Sequence, residues 1–436
     1  MQRQRRIPAA TGDTPGEREA AMDSLSRVAL AKVRAPLLKA KHAPGAIYTS
    51  PAIYEREIET IFLKDWLCIG REEEFAKPGD FRAFRIAGEA LLVVRNRERK
   101  LNAFINACRH RGVEVTTGQG NASKFTCPYH AWLYDLDGKL VSAPFNEGVE
   151  GFDFDNCALP PVRLETWAGW IFVNFDDRAP ALDSYLDGDQ VRALTGFLRQ
   201  EDLRLADRWD FTLDCNWKLV LENLMDMYHT GVIHSTSFGK VFPRDDFRYR
   251  LTAEGYHAEY QSLTMCPDGK SPFGPMPWMG AERAPWMQAE DKGVDRNDPL
   301  YAFTILVRPC MNIFARYDLV QPITYFPLGP DKTQVSVFTL FPAAHFARPD
   351  FERNAQLYRD FIRVVIEEDR SMLDSLQQGL KSRRFVPGPT VKLEMPIHHM
   401  LNRYLDRLFG AAPKKRRRAK PARATRNSRH ARRSRA

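Results

Sequence analysis

Two closely spaced Cys/His pairs constrain this chain of 436 residues more than any other feature of its sequence. Cys108 and His110 are separated by one residue, and after sixteen further residues Cys127 and His130 are separated by two. Each pair is predicted where a strand ends and a turn begins. Four thiolate and imidazole donors on two such loops favour a metal site that holds either one tetrahedral ion or two metal ions.

The distribution of these donors distinguishes two kinds of site. A structural zinc site usually pairs like ligands within each half. Here each half supplies one Cys and one His, which suits a two-iron cluster in which one iron binds both thiolates and the other binds both imidazoles. Zinc remains the alternative on spacing alone. The segments CRHRG and CPYHAW, with Gly112 and Trp132, closely resemble the Rieske [2Fe-2S] motif, and this resemblance implies that the four donors are cluster ligands.

The basic character of the chain comes from one end of it. Residues 414–436 contain 12 Lys and Arg and no acid, and so carry a charge of +12. Because the net charge of the whole chain is +9, residues 1–413 carry a net charge of −3. Nucleic-acid binding needs basic residues spread over a folded face and is therefore not expected. Residues 413–436 are predicted to be a disordered basic tail, with docking to an acidic ferredoxin as the alternative to no role.

Cysteine usage and hydropathy indicate the compartment. The seven cysteines are odd in number and widely spaced, which is not typical of a disulfide framework and favours a reducing, cytoplasmic location. No run approaches the roughly 18 apolar residues that span a bilayer. The polar, basic N-terminus has no apolar stretch behind it and does not predict a secretory signal.

Changes in hydrophobic period divide the chain into segments. Residues 1–45 are polar and predict a mobile arm or a docking helix. Ser50 and Pro51 predict the N-cap and the first residue of a short helix. From Gly79 the apolar residues alternate with period two, and residues 46–180 as a whole predict a small all-β domain, including one strand over 167–175. Residues 180–188 are predicted to be a linker. Residues 181–412 mix helical and strand patterns, which predicts a second, larger domain.

A second group of candidate metal ligands lies about a hundred residues beyond the first. Asp226, His229 and His234 follow one another at the end of a helix predicted near residues 217–230. Asp226 and His229 are three residues apart and would share a helix face. His234 lies about 140° from His229 around an ideal helix, so both can bind one metal only if the helix breaks, and Gly231 is placed to permit this. Two core histidines are the alternative.

The third ligand is predicted on a long helix over about 349–380. Asp369 lies on its apolar stripe between Val365 and Met372. A carboxylate that faces a core is costly unless it is paired or bound to metal, and an ion pair with an arginine is the alternative. The neighbouring Glu368 is borderline between core and solvent. With the two imidazoles, Asp369 would complete a facial triad that binds Fe(II) and leaves positions open for dioxygen and substrate.

With both groups of ligands, the chain resembles the α subunit, or terminal oxygenase component, of Rieske non-haem iron ring-hydroxylating oxygenases over about residues 46–410. The resemblance implies an α+β fold: an N-terminal all-β Rieske domain and a C-terminal catalytic domain whose antiparallel sheet is gripped by helices. It implies that Asp226 links His229 to His130 of a neighbouring subunit, and therefore a head-to-tail homotrimer. It leaves open whether a small β subunit joins.

The same resemblance implies the reaction. Dioxygen and electrons from a separate NAD(P)H-dependent reductase, directly or through a ferredoxin, would give a cis-dihydrodiol, a hydroxylated ring or a demethylated product. The chain has no GxGxxG fingerprint and should not oxidise NADH unaided.

The sequence predicts a substrate pocket lined by Asn223, Met225 and Phe238, with ordinary packing as the alternative for these three residues. A pocket rich in apolar and aromatic residues favours an aromatic or heteroaromatic substrate. One alternative is a small quaternary amine held in an aromatic cage. The other is an electron-transfer Rieske protein without oxygenase activity.

Overall fold

The protein is described here by a computed structural model. The residues that the structure describes are 27–237, 249–261, 271–279 and 294–410. Phe238, much of the loop between residues 266 and 300, and the basic tail lie outside these ranges.

The N-terminal segment lies against the last helix of the chain. Helix α1 (Arg27–Val33) buries Val33, and Nε2 of His398 hydrogen-bonds the carbonyl oxygen of Ala35 at 2.8 Å. From residue 27 onward, the predicted arm is therefore a docked segment.

Two short helices follow, and the second begins where the sequence predicts. Helix α2 (Ala46–Thr49) precedes α3 (Pro51–Glu57), in which Pro is the first residue and the Ser50 hydroxyl accepts a hydrogen bond from the Ile53 amide. This is the predicted N-cap followed by proline.

Residues 67–174 form the all-β part of the structure. The strands are β1 (Leu67–Arg71), β2 (Asp80–Ile86), β3 (Glu89–Arg95), β4 (Leu101–Ile105), β5 (Gln119–Asn121), β6 (Phe125–Thr126), β7 (Leu133–Tyr134), β8 (Leu140–Ser142), β9 (Arg163–Trp167) and β10 (Trp170–Asn174). They form three antiparallel sheets in the orders β4-β3-β2-β5, β6-β7-β8 and β1-β10-β9. Buried side chains of the first two sheets, including Leu92, Phe104 and Tyr134, share one core with the two candidate ligand cysteines.

The single strand predicted over 167–175 is wrong. The chain reverses at Ala168 and Gly169, whose φ angles are 50° and 80°, so β9 and β10 form a hairpin in which Trp167 pairs with Trp170. A two-residue turn with both φ angles positive matches the twist of the flanking strands. The turn was not predicted because the segment is mostly apolar and, at the reversal, Gly169 is the one residue typical of turns.

The predicted linker over 180–188 is also wrong. Helix α4 (Leu182–Gly188) occupies it and is followed by α5 (Val191–Thr195). Leu182 and Leu186 are buried in a core that includes Trp170 and Phe303. The helix forms despite the turn-forming residues around it, because burial of these two leucines, spaced four residues apart, stabilises it.

The larger domain is built on one sheet. Its elements are β11 (Leu203–Leu213), α6 (Trp217–Met225), α7 (Thr230–Ile233), β12 (Arg250–Leu251), β13 (Tyr256–Gln261), β14 (Tyr301–Val307), β15 (Met311–Arg316), β16 (Val320–Gly329), β17 (Lys332–Pro342), α8 (Phe351–Leu380) and α9 (Met395–Phe409). The sheet is antiparallel throughout, in the order β11-β17-β16-β15-β14-β13-β12.

Helix α8 packs against this sheet and shares a core with β16 and β17, in which Ile362 and Val365 meet Ile323 and Val337. A second core contains Phe303 and Phe338 of the sheet together with α4 and α5. A sheet covered by helices next to an all-β unit is the predicted α+β fold.

Two further predictions concern sequence-wide features. Among the described residues, six cysteines are free thiols. None of the helices in the described part of the chain combines the length and the apolar character that crossing a membrane requires.

Candidate metal centres

The four donors of the first site meet at the tips of two loops. Nδ1 of His110 and Nδ1 of His130 lie 3.1 Å apart, and both imidazoles are exposed. Cys108 and Cys127 are buried beneath them. The structure therefore separates the donors into an inner pair of thiols and an outer pair of imidazoles.

The two loops have the same backbone design. In the first, the Gly112 amide donates to the Cys108 carbonyl at 2.8 Å, and in the second the Ala131 amide donates to the Cys127 carbonyl at 3.1 Å. Gly112 and Ala131 have φ angles of 82° and 57°, so each turn needs a left-handed residue at its fourth position after the cysteine. Trp132 stacks on the His110 ring at 5.0 Å and supports the outer donors.

Tyr134 is a residue of this site that the sequence analysis missed. Its hydroxyl oxygen lies 3.3 Å from Sγ of Cys108 and accepts a hydrogen bond from the Arg109 amide at 3.0 Å. Burial raises the pKa of the Cys108 thiol, and the Tyr134 hydroxyl opposes this increase. Tyr134 follows the second Cys/His pair in the segment CPYHAWLY, where the alternating pattern predicts only a residue of a strand. Nothing in that pattern indicates a contact with a cysteine 26 residues away.

This arrangement fits a two-iron cluster better than a zinc ion. In the described part of the chain, only His229, His234 and Asp369 bring three potential ligand atoms within 4.8 Å of one another. The Cys/His quartet is spread more widely than one tetrahedral ion allows. Inner thiols and outer imidazoles match a [2Fe-2S] cluster with two chemically different ends.

The second site follows the end of helix α6. Asn216 begins this helix, since its side chain accepts a hydrogen bond from the Lys218 amide, and the helix ends at Met225. The predicted continuation to residue 230 is wrong: Asp226 is extended, with φ −85° and ψ 106°, and Gly231 lies inside the short helix α7. The break that brings the two imidazoles together is therefore at Asp226.

The two imidazoles and the predicted carboxylate converge. Nε2 of His229 and Nε2 of His234 lie 3.5 and 3.2 Å from Oδ1 of Asp369. Asp369 lies on the buried face of α8 with Val365 and Leu373, whereas Met372, predicted on that face, is 47% exposed. The helix turns 100° per residue, so its inner stripe passes through Leu373.

A second carboxylate positions each imidazole from behind. Nδ1 of His229 donates to Oδ2 of Asp226 at 3.2 Å, and Nδ1 of His234 donates to Oε2 of Glu368 at 2.8 Å. Glu368 also accepts hydrogen bonds from the hydroxyls of Thr236 and Ser237. These contacts direct both Nε2 atoms toward Asp369. Glu368, borderline by sequence, is thus a positioning residue.

The electrostatics of this site favour charge on His229 and on Asp369. Burial lowers the pKa of His229, but its contacts with Asp226 and Asp369 outweigh burial and raise that pKa to about 9. Burial raises the pKa of Asp369, and its contacts with His229 and His234 outweigh this and lower it. The Asp369 carboxylate is therefore ionised while buried.

The residues present fit a divalent metal ion. Oδ1 of Asp369 is buried and has no hydrogen-bond partner among the described residues. No arginine in the described part of the chain pairs with Asp369, so the alternative of a buried ion pair is not supported there. One carboxylate and two imidazoles are the donor set of a facial triad for Fe(II).

A cavity opens onto this triad. Asn223 lines it, together with Tyr260, Phe314, Arg316 and Gln321, which sequence reasoning missed. The remaining walls are mainly aliphatic: Leu224, Met227, Ile323, Ile362, Val365 and Ile366.

Met225, also predicted to line the pocket, does not line this cavity. Met225 lines a separate cavity with Leu221 and Met400, on the other side of α6. Its predicted position in the substrate pocket is therefore wrong. The residues on either side of Met225, which are Leu224 and Asp226, line the cavity at the triad instead. Phe238 is outside the described residues.

Two family models match the chain. The model for the Rieske [2Fe-2S] domain matches residues 65–153, and the model for the ring hydroxylating alpha subunit (catalytic domain) matches residues 200–410. An electron-transfer protein that holds the cluster alone does not account for the second match.

Similar proteins agree with this. The chain is 30% identical over 343 residues to the carnitine monooxygenase oxygenase subunit of Escherichia coli (strain K12), over 78% of this chain and 85% of that protein. It is 35% identical over 371 residues to the biphenyl dioxygenase subunit alpha of Metapseudomonas furukawaii, over 79% and 81%. The crystal structure of the quaternary ammonium Rieske monooxygenase CntA with L-carnitine matches at 27% identity and a TM-score of 0.68, over 87% of this chain and 97% of that one.

The chain therefore belongs to the Rieske oxygenase α subunits, a family of non-haem iron monooxygenases and dioxygenases. It is an oxidoreductase whose cofactors are a [2Fe-2S] Rieske cluster and a mononuclear iron. Enzymes of this family act on small molecules with dioxygen and with electrons that a reductase supplies.

Proposed function

We propose that this chain hydroxylates an aromatic or heteroaromatic substrate, by insertion of one or both atoms of dioxygen. Electrons would come from a separate NAD(P)H-dependent reductase, directly or through a ferredoxin, because the sequence has no dinucleotide fingerprint. The observation that carries the proposal is the convergence of His229, His234 and Asp369 on a cavity whose remaining lining is mainly apolar. Each turnover consumes one dioxygen, two electrons and two protons, and monohydroxylation releases one oxygen atom as water.

The triad would hold Fe(II), which supplies, when bound, the place where dioxygen is reduced. Asp226 and Glu368 hold the two imidazoles so that their Nε2 atoms point to one place. The aliphatic walls exclude water from the substrate side. Cys108, Cys127 and the two outer imidazoles would hold the [2Fe-2S] cluster, which stores single electrons.

Electron transfer between subunits is the second part of the proposal. Asp226 and His229 lie beside Tyr228, whose side chain is 56% exposed, and His130 is exposed on the Rieske domain. A carboxylate near the surface at one site and an imidazole at the surface of the other suit a contact between neighbouring chains. A homotrimer in which Asp226 bridges His229 to His130 of the next subunit is therefore proposed. A β subunit is not required by this contact.

The cavity walls favour a ring over a cation as the substrate. Recognition of a quaternary ammonium group uses a cage of aromatic faces. Among the described lining residues, two are aromatic, Phe314 and Tyr260, whereas six have aliphatic or thioether side chains. Aliphatic walls bind an apolar ring by the hydrophobic effect without favouring a charge.

Demethylation or cleavage of a small quaternary amine is the second candidate. It is favoured by the similarity to the carnitine monooxygenase oxygenase subunit and to the solved structure with L-carnitine. The two candidates differ in product.

The test combines metal analysis with a substrate screen. The proposal predicts about three irons and two acid-labile sulfides per chain. With a generic reductase and NADH, oxygen uptake should yield a hydroxylated ring from an arene panel such as biphenyl, indole and benzoate. His234→Ala should abolish product while the visible spectrum of the cluster is retained. C–N bond cleavage of L-carnitine or γ-butyrobetaine, with no arene oxidised, would support the second candidate instead.

A further inference from the structure

One charged residue in the wall of the active-site cavity has no role in holding the triad. Arg316 is the last residue of strand β15 and lines the same cavity as the triad, two residues after Phe314 on the same face of that strand. Its side chain is 8% exposed. A buried guanidinium is costly unless an anion or several acceptors surround it.

Arg316 differs from the other buried arginines. Four arginines are buried in the described part of the chain, and Arg316 alone makes no ion pair with a described carboxylate. The other three are paired: Arg71 with Glu73, Arg296 with Glu259, and Arg359 with Glu352. The other buried arginines of the described ranges therefore each have a carboxylate partner, and Arg316 has none among the described carboxylates.

The contacts that Arg316 does make leave part of its hydrogen-bonding capacity unused. One Nη atom donates to the carbonyl oxygen of Ala315 at 3.0 Å, and the guanidinium lies 5.7 Å from the centre of the Phe314 ring. Nε is buried without a hydrogen-bond partner among the described residues. Burial lowers the pKa of Arg316, and the hydroxyls of Tyr260 and Tyr301 oppose this. An arginine remains charged even so, because its ordinary pKa is far above neutral.

The surroundings suit a planar anion. A guanidinium presents its donors as a fork that matches a carboxylate in two parallel hydrogen bonds. Gln321 on the adjacent strand β16 adds an amide group to the same cavity wall, and its Nε2 donates to Thr339 at 3.1 Å. Aliphatic residues of β16 and α8 line the same cavity as Arg316 and the triad.

We propose that Arg316 is a specificity-determining residue that binds the carboxylate of the substrate, and that the substrate is an aromatic or heteroaromatic acid. This inference rests on the proposed function and narrows its substrate class. The carboxylate would lie on the Arg316 guanidinium, with the ring between the aliphatic walls and facing the triad. Arg316 acts by binding and orientation and takes no part in electron or oxygen transfer.

Equilibrium binding to the resting holoenzyme tests this without turnover. Benzoate and 2-naphthoate are compared by calorimetry with their neutral isosteres benzamide and 2-naphthamide, in the absence of reductase. The wild type should bind each acid about tenfold or more tightly than its amide, as expected for a charge-assisted bidentate contact. In Arg316→Met this ratio should fall to about one, and in Arg316→Lys it should be intermediate because the charge is kept without the fork.

A matched control removes an arginine from elsewhere. Arg363 lies on the exposed side of α8 over Trp209, and Arg363→Met should keep the wild-type ratio of acid to amide affinity. Equal binding of acid and amide by the wild type, or an unchanged ratio in Arg316→Met, overturns the inference. Should Arg316→Met not fold, the wild-type ratio and Arg316→Lys decide.

The result also separates this inference from the proposed function. Oxidation of neutral arenes, with no preference for acids in binding, would leave the proposed function standing and overturn the role of Arg316. Tight binding of L-carnitine that depends on Arg316, followed by C–N cleavage and no ring oxidation, would support the carboxylate contact and overturn the aromatic substrate.

Discussion

At the scale of single residues, the candidate iron site depends on carboxylates in two different roles. Asp369 offers an unpartnered oxygen to the shared centre, whereas Asp226 and Glu368 hold the imidazoles from behind. Glu368 differs from its neighbour Glu367 in this respect, because Glu367 pairs with Arg370 on the exposed side of the helix. Adjacent acids of one helix therefore have separate functions.

Glu368→Gln should weaken retention of the mononuclear iron by about 10- to 100-fold. An amide holds the His234 imidazole less firmly and does not add to its basicity, and positioning partners of metal ligands commonly contribute this much. The measurement is iron content per chain after dialysis against a graded chelator, with the visible spectrum of the cluster as the reference. Glu367→Gln is the control and should behave as the wild type; equal iron loss in both variants would contradict the role given to Glu368.

Asp318 gives a pH dependence away from the metal ligands. Burial raises its pKa to about 6, and the hydroxyls of Ser271 and Tyr358 oppose this. Because the folded pKa is above the unfolded one, the protonated carboxyl stabilises the fold below about pH 4, and this contribution is lost as the pH rises through about 6.

The free energy of unfolding of the wild type relative to Asp318→Asn should therefore fall by up to about 3 kcal/mol between pH 4 and pH 6, and then level off. Urea titrations of both proteins across that range give the difference. A difference that is constant with pH would show that Asp318 does not titrate in this window.

At the scale of elements, helix α8 supplies both the third candidate ligand and the packing that fixes its position. Asp369 is held by the same face that buries Val365 and Leu373 against the sheet core. Helix α6 contributes by ending early, since the extended Asp226 turns the chain so that both imidazoles reach Asp369. One long, packed helix and one short helix that ends abruptly thus form the site.

Leu373→Ala should destabilise the protein by about 2–5 kcal/mol, because it leaves a cavity under α8. Met372→Ala, at the adjacent position, should change the free energy of unfolding by less than about 0.5 kcal/mol, since Met372 is exposed. Chemical denaturation of the two variants measures both. A larger effect at Met372 would mean that the inner stripe of the helix passes through that residue, as the sequence alone suggested.

At the scale of the whole molecule, the two candidate centres occupy separate units of the fold. The cluster donors lie on loops of the all-β domain, and the triad lies between α6, α7 and α8 of the larger domain. Exposure of the outer imidazoles and of Tyr228 leaves both centres accessible to another chain. The proposed trimer would use this accessibility.

Mixed oligomers test transfer between subunits. A Cys108→Ser chain lacks the cluster and a His234→Ala chain lacks the mononuclear iron, so each is inactive alone. In a random mixture of the two within head-to-tail trimers, about a quarter of the active sites would be an intact iron beside an intact cluster of the next chain. Coexpression should therefore restore up to about a quarter of wild-type substrate oxidation, whereas transfer within one chain would restore none.

The sequence by itself determined the chemistry of the ligands and the class of fold. The donors Cys108, His110, Cys127 and His130 are encoded within 23 residues, and local turns present them whatever surrounds the domain. Asp369 was predictable because a carboxylate on the apolar stripe of a helix has few explanations. Such features depend on residue type and on periods of two and 3.6, which the chain carries locally.

Only the tertiary structure decided which residues surround those ligands. The contact between His234 and Glu368 joins positions 134 residues apart. The exposure of Met372, the position of Met225 in another cavity and the lack of a partner for Nε of Arg316 among the described residues also depend on how helices and strands pack. The helix period predicts the buried face only to within about one residue. An error of one residue on α6 or α8 therefore assigns a side chain to the wrong environment. Partners brought together by packing leave no mark on local sequence, because their energy arises only when the chain is folded.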